Sequence, residues 1–257
     1  MPKISPKAIV ENTAELADDV EVGPFAYIGP NVRIGPGCII ENNATVTGRT
    51  ILEGKNHIFP LAVVGISADG SAGAAQCVIG QANSFREHVT VYGGDPQPTR
   101  IGSDNLVMIG CLLGASCVVG DHGIFANCTH VGALAQVEDY VHTSGFAEIE
   151  SGVTVGAYTF MAGYAQIDID APPYAIVQGF PFRVRGVNTE KLRRCGFGED
   201  DIKALKAAFR ELFNGSSARP DRVVLDRLIQ SPDANRHVRR LVDFLVRQSR
   251  QDGGVDA

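Results

Sequence analysis

From Val107 to Tyr158 the chain is written in steps of six. Val107, Leu113, Val119, Phe125, Val131, Val137, Thr143, Ile149 and Val155 fall at every sixth position, and Thr143 is the one polar member. Four places after each stands a small or β-branched residue, as at Cys111, Cys117, Thr129, Ala135 and Val153. The same spacing runs through Val10, Leu16, Val22, Ile28, Ile34, Ile40, Val46, Leu52, Ile58 and Val64. A period of six with two inward residues per step fits neither an amphipathic helix nor a simple alternating strand. It predicts a short strand, a turn and a corner, repeated, which is a parallel β-helix. Three hexads close one triangular coil of 18 residues, and each coil adds about 4.8 Å of shaft. The hexads predict about eight coils up to Ile167.

Two segments break the register and read as loops pushed out of the shaft. One spans 66–78 and is rich in Gly, Ala and Ser; the other spans 92–100 and carries Gly-Gly-Asp-Pro-Gln-Pro. Loops on a rigid scaffold commonly carry function. Pro172, Pro173, Gly179 and Pro181 end the shaft, and a 3.6-residue periodicity follows. Ile202, Leu205, Phe209, Leu212 and Phe213 share one face of a predicted helix over about 199–213. A second is predicted over about 219–230, and a third after Ser231-Pro232, with Ser231 as its N-cap. The chain therefore divides into a β-helix over 1–185, with its two insertions, and a helical domain over 186–257.

Charge divides at nearly the same place. Residues 1–182 hold 7 Lys/Arg against 18 Asp/Glu, while 183–257 hold 16 against 11. A basic tail on an acidic body predicts either an acidic partner or solvated helix faces. The arginines of the tail lack a stacking platform, so nucleic acid is not expected. No apolar run reaches the length of a membrane span, and no leader sequence is recognisable. The six cysteines form no CxxC pair, which predicts reduced thiols and a cytoplasmic protein. No metal site is expected either: a zinc centre of three histidines needs two of them five apart, and here His88, His122, His130 and His142 are too widely spaced.

Three stretches narrow the reading. Gly-Ser-Asp-Asn-Leu-Val-Met at 102–108, Ala-Pro-Pro-Tyr at 171–174 and Gly-Val-Asn-Thr-Glu-Lys-Leu-Arg-Arg-Cys-Gly-Phe at 186–197 resemble the acyl-carrier-protein-dependent UDP-N-acetylglucosamine O-acyltransferases of lipid A biosynthesis. The resemblance covers essentially the whole chain. It implies a left-handed β-helix, a homotrimer with its sites between shafts, and an acyl donor carried as the phosphopantetheine thioester of acyl-carrier protein or of CoA. It also implies a nucleotide sugar as acceptor, contacted by Asn188, Glu190 and Arg194, with Asp69 as the orienting aspartate. Gly163 falls where the family sets acyl-chain length. An acidic carrier would dock on Arg193, Arg236, Arg239 and Arg240.

The same resemblance exposes a departure. The family's general-base histidine aligns with Ala115, and the residues around it also differ, being Tyr92, Leu112, Ser116, Leu134 and Glu150. A methyl group accepts no proton, so the base must come from elsewhere if the chain catalyses this chemistry. His130 lies one predicted coil beyond Leu112 on the same face, and Glu150 is the other candidate. Three functions follow: a divergent acyltransferase acting on a nucleotide-sugar-like or amine acceptor, a non-catalytic relative that binds carrier protein or nucleotide sugar, or the ordinary lipid A 3-O-acyltransferase.

Overall fold

The computed structural model describes residues 1–68, 75–213, 218–231 and 235–252, with side chains up to Gln248. The hexads wind a parallel β-solenoid. Its three sheets, A, B and C, contain 11, 9 and 8 strands, and each coil passes through them in that order. Register is one coil per 18 residues where no insertion intervenes, as in Lys3↔Glu21 and Leu112↔His130. Sheet B thus counts nine coils rather than eight, because regular pairing already begins at Lys3–Ile4, one hexad before Val10. The sheets run face to face around one core of Val, Ile, Leu and Ala, joined by Phe85, Phe125 and Met161. Backbone groups pair along the axis with the coils above and below, which leaves no free strand edge along the shaft.

Three corners separate the sheets: the first between A and B, the second between B and C, the third between C and A. Corner residues repeatedly take left-handed backbone angles; Phe25, Ser116, Leu134, Tyr140, Tyr158 and Tyr174 all have φ near +60°. This conformation is costly for residues with a Cβ, and the coils on either side hold it in place.

The polar residues inside the shaft are fully engaged. Asn56, Asn83 and Asn105 stack in adjacent coils: Asn83 Nδ2 donates to Asn56 Oδ1 at 3.0 Å, and Asn105 Nδ2 to Asn83 Oδ1 at 2.9 Å. Thr143, the polar member of the hexad, pairs its hydroxyl with Thr129 at 2.7 Å and accepts from the Ala126 N–H. All six cysteines are free thiols, and Cys38, Cys77, Cys111 and Cys117 are buried. Burial pushes the Cys111 thiol up to about 11 and Cys117 to about 12, so both act as small apolar fillers.

Beyond the shaft, an antiparallel hairpin (Ala175–Gln178 with Arg183–Val187) closes sheet A, and four helices follow. They are α1 (Thr189–Arg194), α2 (Glu199–Leu212), α3 (Arg222–Ile229) and α4 (Arg236–Asp252). Two differ from expectation. The short α1 was hidden inside the 186–197 motif. Helix α4 starts beyond Ser231: Asn235 accepts from the His237 N–H at 2.8 Å and caps it, whereas Ser231 itself closes off α3 through Leu228. Residues 232–234 of the predicted cap lie outside the described residues.

The helices are fastened to the third corner by aromatic rings. His122, Tyr140, Tyr158 and Tyr174 stack in successive coils with centroids 4.6, 4.9 and 5.8 Å apart. Phe197, just before α2, lies edge-on to Tyr158 at 5.0 Å and against His237 of α4 at 4.5 Å. Arg240 of α4 reaches Glu138 on the shaft at 3.0 Å. Phe197→Ala removes the ring common to shaft and helices. We expect it to lower stability by about 1–2 kcal/mol, with hydrogen exchange of α2 and α4 accelerating while the amides of the central coils stay protected. Equal loss of protection along the shaft would show that the two parts open as one.

Candidate active site

Both insertions leave the shaft at the second corner. The first lies between Val63–Ser67 and Gln76–Ile79, and the second between Thr90–Gly93 and Thr99–Ile101. Strand pairing extends into both, so the projecting segments are shorter than the sequence suggests. The two are joined by reciprocal backbone hydrogen bonds of Gln76 and Gly94 at 2.9 and 3.0 Å. The next coil places Ala115 and Ser116 at this corner. The second insertion is seated directly on Ser116, whose hydroxyl donates to the Gln97 carbonyl at 2.7 Å and whose N–H donates to Thr99 Oγ1 at 2.8 Å. Ser116 therefore anchors the second insertion to the shaft. Gly94 permits this seating, since a Cβ there would stand 2.1 Å from the Gln97 carbonyl oxygen and 2.3 Å from the Ser116 hydroxyl.

Ala115 presents only a methyl group and accepts the Leu134 N–H at 2.9 Å. Beside it runs the outer face of sheet B. Thr90, Leu112, His130, Glu148 and Gln166 form one column in strict register. The geometric expectation for His130 thus holds: it stands one coil beyond Leu112 and faces outward. Its Nδ1 lies 3.4 Å from Glu148 Oε1. The two side chains are each about half exposed, and the approach is an ion-pair distance between neighbouring coils. Sequence reasoning missed Glu148, although its position 18 residues after His130 was a readable signal. Glu150 sits at the end of the same strand, where Gln166 Nε2 donates to its Oε1 at 2.9 Å. Both candidate proton acceptors therefore share one face next to the second corner.

The other sequence candidates fall elsewhere. Asn188 is buried beneath α1, and its amide donates to the Tyr158 carbonyl at 2.9 Å. Glu190 and Arg194 form an exposed ion pair one helical turn apart. Gly163 lies exposed at the first corner. A Cβ there would meet only ordinary contacts, the Gly145 carbonyl oxygen at 3.5 Å and Ser144 Cβ at 3.8 Å, so the fold itself does not demand glycine. Asp69 lies outside the described residues.

The arginines singled out for docking are largely occupied. Arg193 holds Glu199 at 2.6 Å, an attraction that raises the guanidinium and lowers the carboxyl. Arg240 holds Glu138, and Arg236 Nε donates to His237 Nε2 at 3.1 Å. Arg239 is exposed on α4. A different basic surface emerges between the hairpin and α2. There a groove of about 260 Å³ has Val184, Val187, Phe209 and Phe213 as its floor and Arg185, Lys206 and Arg210 along its edge. The second strand of the hairpin and α2 supply it, which is why no single stretch of sequence displays it. Among the described residues, no group of three His, Cys, Asp or Glu is arranged to hold a metal ion, and no helix is long and apolar enough to cross a membrane.

Comparison with known proteins gives a consistent result. A family profile described as UDP N-acetylglucosamine O-acyltransferase, domain 2, matches residues 170–253, and one described as bacterial transferase hexapeptide (six repeats) matches 13–48. The acyl-[acyl-carrier-protein]–UDP-N-acetylglucosamine O-acyltransferase of Syntrophobacter fumaroxidans is 32% identical over 95% of this chain and 96% of its own length. That of Albidiferax ferrireducens is 34% identical over 99% and 100%. Among solved structures, the UDP-N-acetylglucosamine O-acyltransferase of Moraxella catarrhalis superposes with a TM-score of 0.87 at 28% identity, covering 95% of this chain and 96% of that one.

Proposed function

The chain belongs to the acyl-[acyl-carrier-protein]–UDP-N-acetylglucosamine O-acyltransferase family, and from that premise we propose that it transfers an acyl group from a phosphopantetheine thioester to a nucleotide-sugar acceptor, with His130 as general base. The observation that carries this reading is the His130–Glu148 pair, an outward-facing imidazole with a carboxylate 3.4 Å away on the face adjoining Ala115. Nε2 takes the proton of the acceptor's hydroxyl or amine as that atom attacks the thioester carbonyl. The C–S bond breaks as the new C–O or C–N bond stands, and the departing thiolate takes the proton back from the imidazolium. An amine, being nucleophilic when neutral, needs the base less than a hydroxyl does. Glu150, a short step along the same face, is the alternative acceptor.

The remaining roles follow the family reading. Asn188, Glu190 and Arg194 contact the nucleotide, Asp69 orients the sugar, and Gly163 leaves room for the acyl tail. Acyl-carrier protein or CoA delivers the thioester. The basic groove of Arg185, Lys206 and Arg210 suits an acidic carrier better than the occupied Arg193, Arg236 and Arg240 do, with Arg239 as an outlying contact. We read the solenoid as left-handed, with its division from the helical domain at 185/186. The free thiols favour a cytoplasmic setting.

The homotrimer is supported by an apolar ridge on the first corner. Phe25, Phe146 and Tyr164 are 61%, 55% and 74% exposed there, and the last two rings stack at 5.3 Å. Exposed rings in such a row mark an interface. Placing this edge on a threefold axis sets sheet B of each protomer against sheet A of the next, across a wedge-shaped cleft.

The test is direct. Purified protein is incubated with an acyl-acyl-carrier-protein thioester and UDP-N-acetylglucosamine or its 3-amino analogue, and product is followed by mass spectrometry. We expect stoichiometric thiol release with an acylated nucleotide sugar. Transfer to the 3-hydroxyl at an ordinary rate would identify the standard lipid A reaction. Tight binding of both substrates without product favours the non-catalytic relative, for which Ala115 speaks.

A further inference from the structure

Of the 7 Lys/Arg in residues 1–182, Arg33, Arg49 and Arg100 stand together on the outer face of sheet C, which the acyl-transfer scheme leaves unused. Over the same residues the strands of sheet A balance Lys3 with Glu21, and those of sheet B carry Glu148 alone. Coil-to-coil register sets Arg33, Ile51, Val78, Arg100 and Val118 in one column, with Arg49 beside Gln76 in the next. A groove of about 330 Å³ is lined by Arg33 and Arg49 together with Ile51, Gln76 and Val78. Ile51 and Val118 remain 39% and 42% exposed. Arg33 holds Glu15 at 3.0 Å, but both side chains are about two-thirds exposed, and such a pair is readily exchanged for a better ligand. Among the described residues, no carboxylate pairs with Arg49 or Arg100.

We propose that the outer face of sheet C docks an acidic, amphipathic helix of a partner protein other than the acyl carrier. Charge complementarity selects the occupant. The shaft as a whole repels an acidic segment, with 18 Asp/Glu against 7 Lys/Arg, whereas this face attracts it. At physiological salt the screening length is about 8 Å, so an approaching helix responds to the local face rather than to the net charge. Repulsion elsewhere on the shaft then fixes where it lands. The geometry suits a helix laid along the shaft. One helical turn advances about 5.4 Å and one coil about 4.8 Å, so residues on one helix face meet successive coils almost in step. The coils from Arg33 to Val118 span about 19 Å, which is about 13 residues of helix. Its carboxylates meet Arg33, Arg49 and Arg100, and its apolar side chains cover Ile51, Val78 and Val118. With the first corner on the threefold axis, sheet C is turned outward, away from the wedge between sheets A and B. The surface depends on that placement and not on the acyl-transfer reading.

The probe is a labelled synthetic peptide of about 14 residues with Glu and Leu at helical spacing, titrated with the full chain and followed by fluorescence anisotropy. We expect saturable binding that weakens severalfold between about 50 and 300 mM salt. Arg49→Gln combined with Arg100→Gln should weaken it about three- to thirtyfold. Ile51→Ser should weaken it about threefold, at high salt as well as low. Polyglutamate of equal length should bind less tightly and show no response to Ile51→Ser. Absence of peptide binding, or binding unchanged in the double variant, overturns the proposal. So does tighter binding to vesicles of anionic phospholipid than to the peptide, or an altered oligomeric state of the double variant in sedimentation, which would give the face to lipid or to a second copy. Acyl transfer from the carrier protein should be the same in the double variant as in the wild type. A raised KM for the carrier would assign the face to the carrier and overturn a separate partner. Absence of transfer in the wild type brings down the acyl-transfer reading and leaves this surface standing.

Discussion

His130→Ala should lower kcat by about 10²- to 10⁴-fold, the range that a positioned general base contributes, while KM for the nucleotide sugar changes little. The split follows from geometry. His130 stands on sheet B, whereas the residues assigned to the nucleotide stand on α1 or at its N-cap, so losing the ring removes proton transfer and leaves binding in place. Glu148→Gln should have a smaller effect and alter the pH profile, because it removes the negative charge 3.4 Å from the imidazole. An informative partner is Ala115→His in the His130→Ala background. If the second corner is where the acceptor atom sits, an imidazole restored there should recover turnover. Initial-rate kinetics decide the matter, and a His130→Ala enzyme with unchanged kcat would eliminate the relocated base.

Asn83→Ala should be among the most destabilising single changes in the shaft, by about 3 kcal/mol or more, because a buried polar group deprived of its partner costs about 1–3 kcal/mol and several are deprived at once. The Asn83 side chain accepts from both the N–H and the Nδ2 of Asn105, and donates to Asn56 Oδ1 and to the Gly102 carbonyl. Water cannot take over, since the site is fully buried. A solenoid couples each coil mainly to its neighbours, so the damage should be local, dividing the shaft near its middle. Denaturant titration followed by hydrogen exchange reads both amplitude and location. Asn31→Ala, on an exposed corner, is the control and should stay within about 0.5 kcal/mol. A cost below about 1 kcal/mol for Asn83→Ala would mean that the ladder is not what holds these coils in register.

Legibility in the sequence followed the range of the interaction. The hexads from Val10 to Val155 specified strands, corners and core almost residue by residue, since each coil repeats one local rule. Both insertions were legible as breaks in that rule, but their shared place at the second corner was not, because it depends on how three hexads close into a triangle. Ser231 looked like the natural cap for the last helix. Asn235 takes that role and also donates to Asp201 of α2, a contact that only tertiary packing creates. Arg193 and Arg240 looked free in sequence, yet Glu199 and Glu138 hold them.

By itself the sequence determined the repeat and the inward residues, because each is a property of a fixed spacing. The folded chain decided which groups meet. It put Glu148 beside His130 by coil-to-coil register, and it tied the start of α1 to the aromatic column through Asn188. These meetings join residues far apart in the chain, and the closure of the shaft and the burial of Phe197 bring them together.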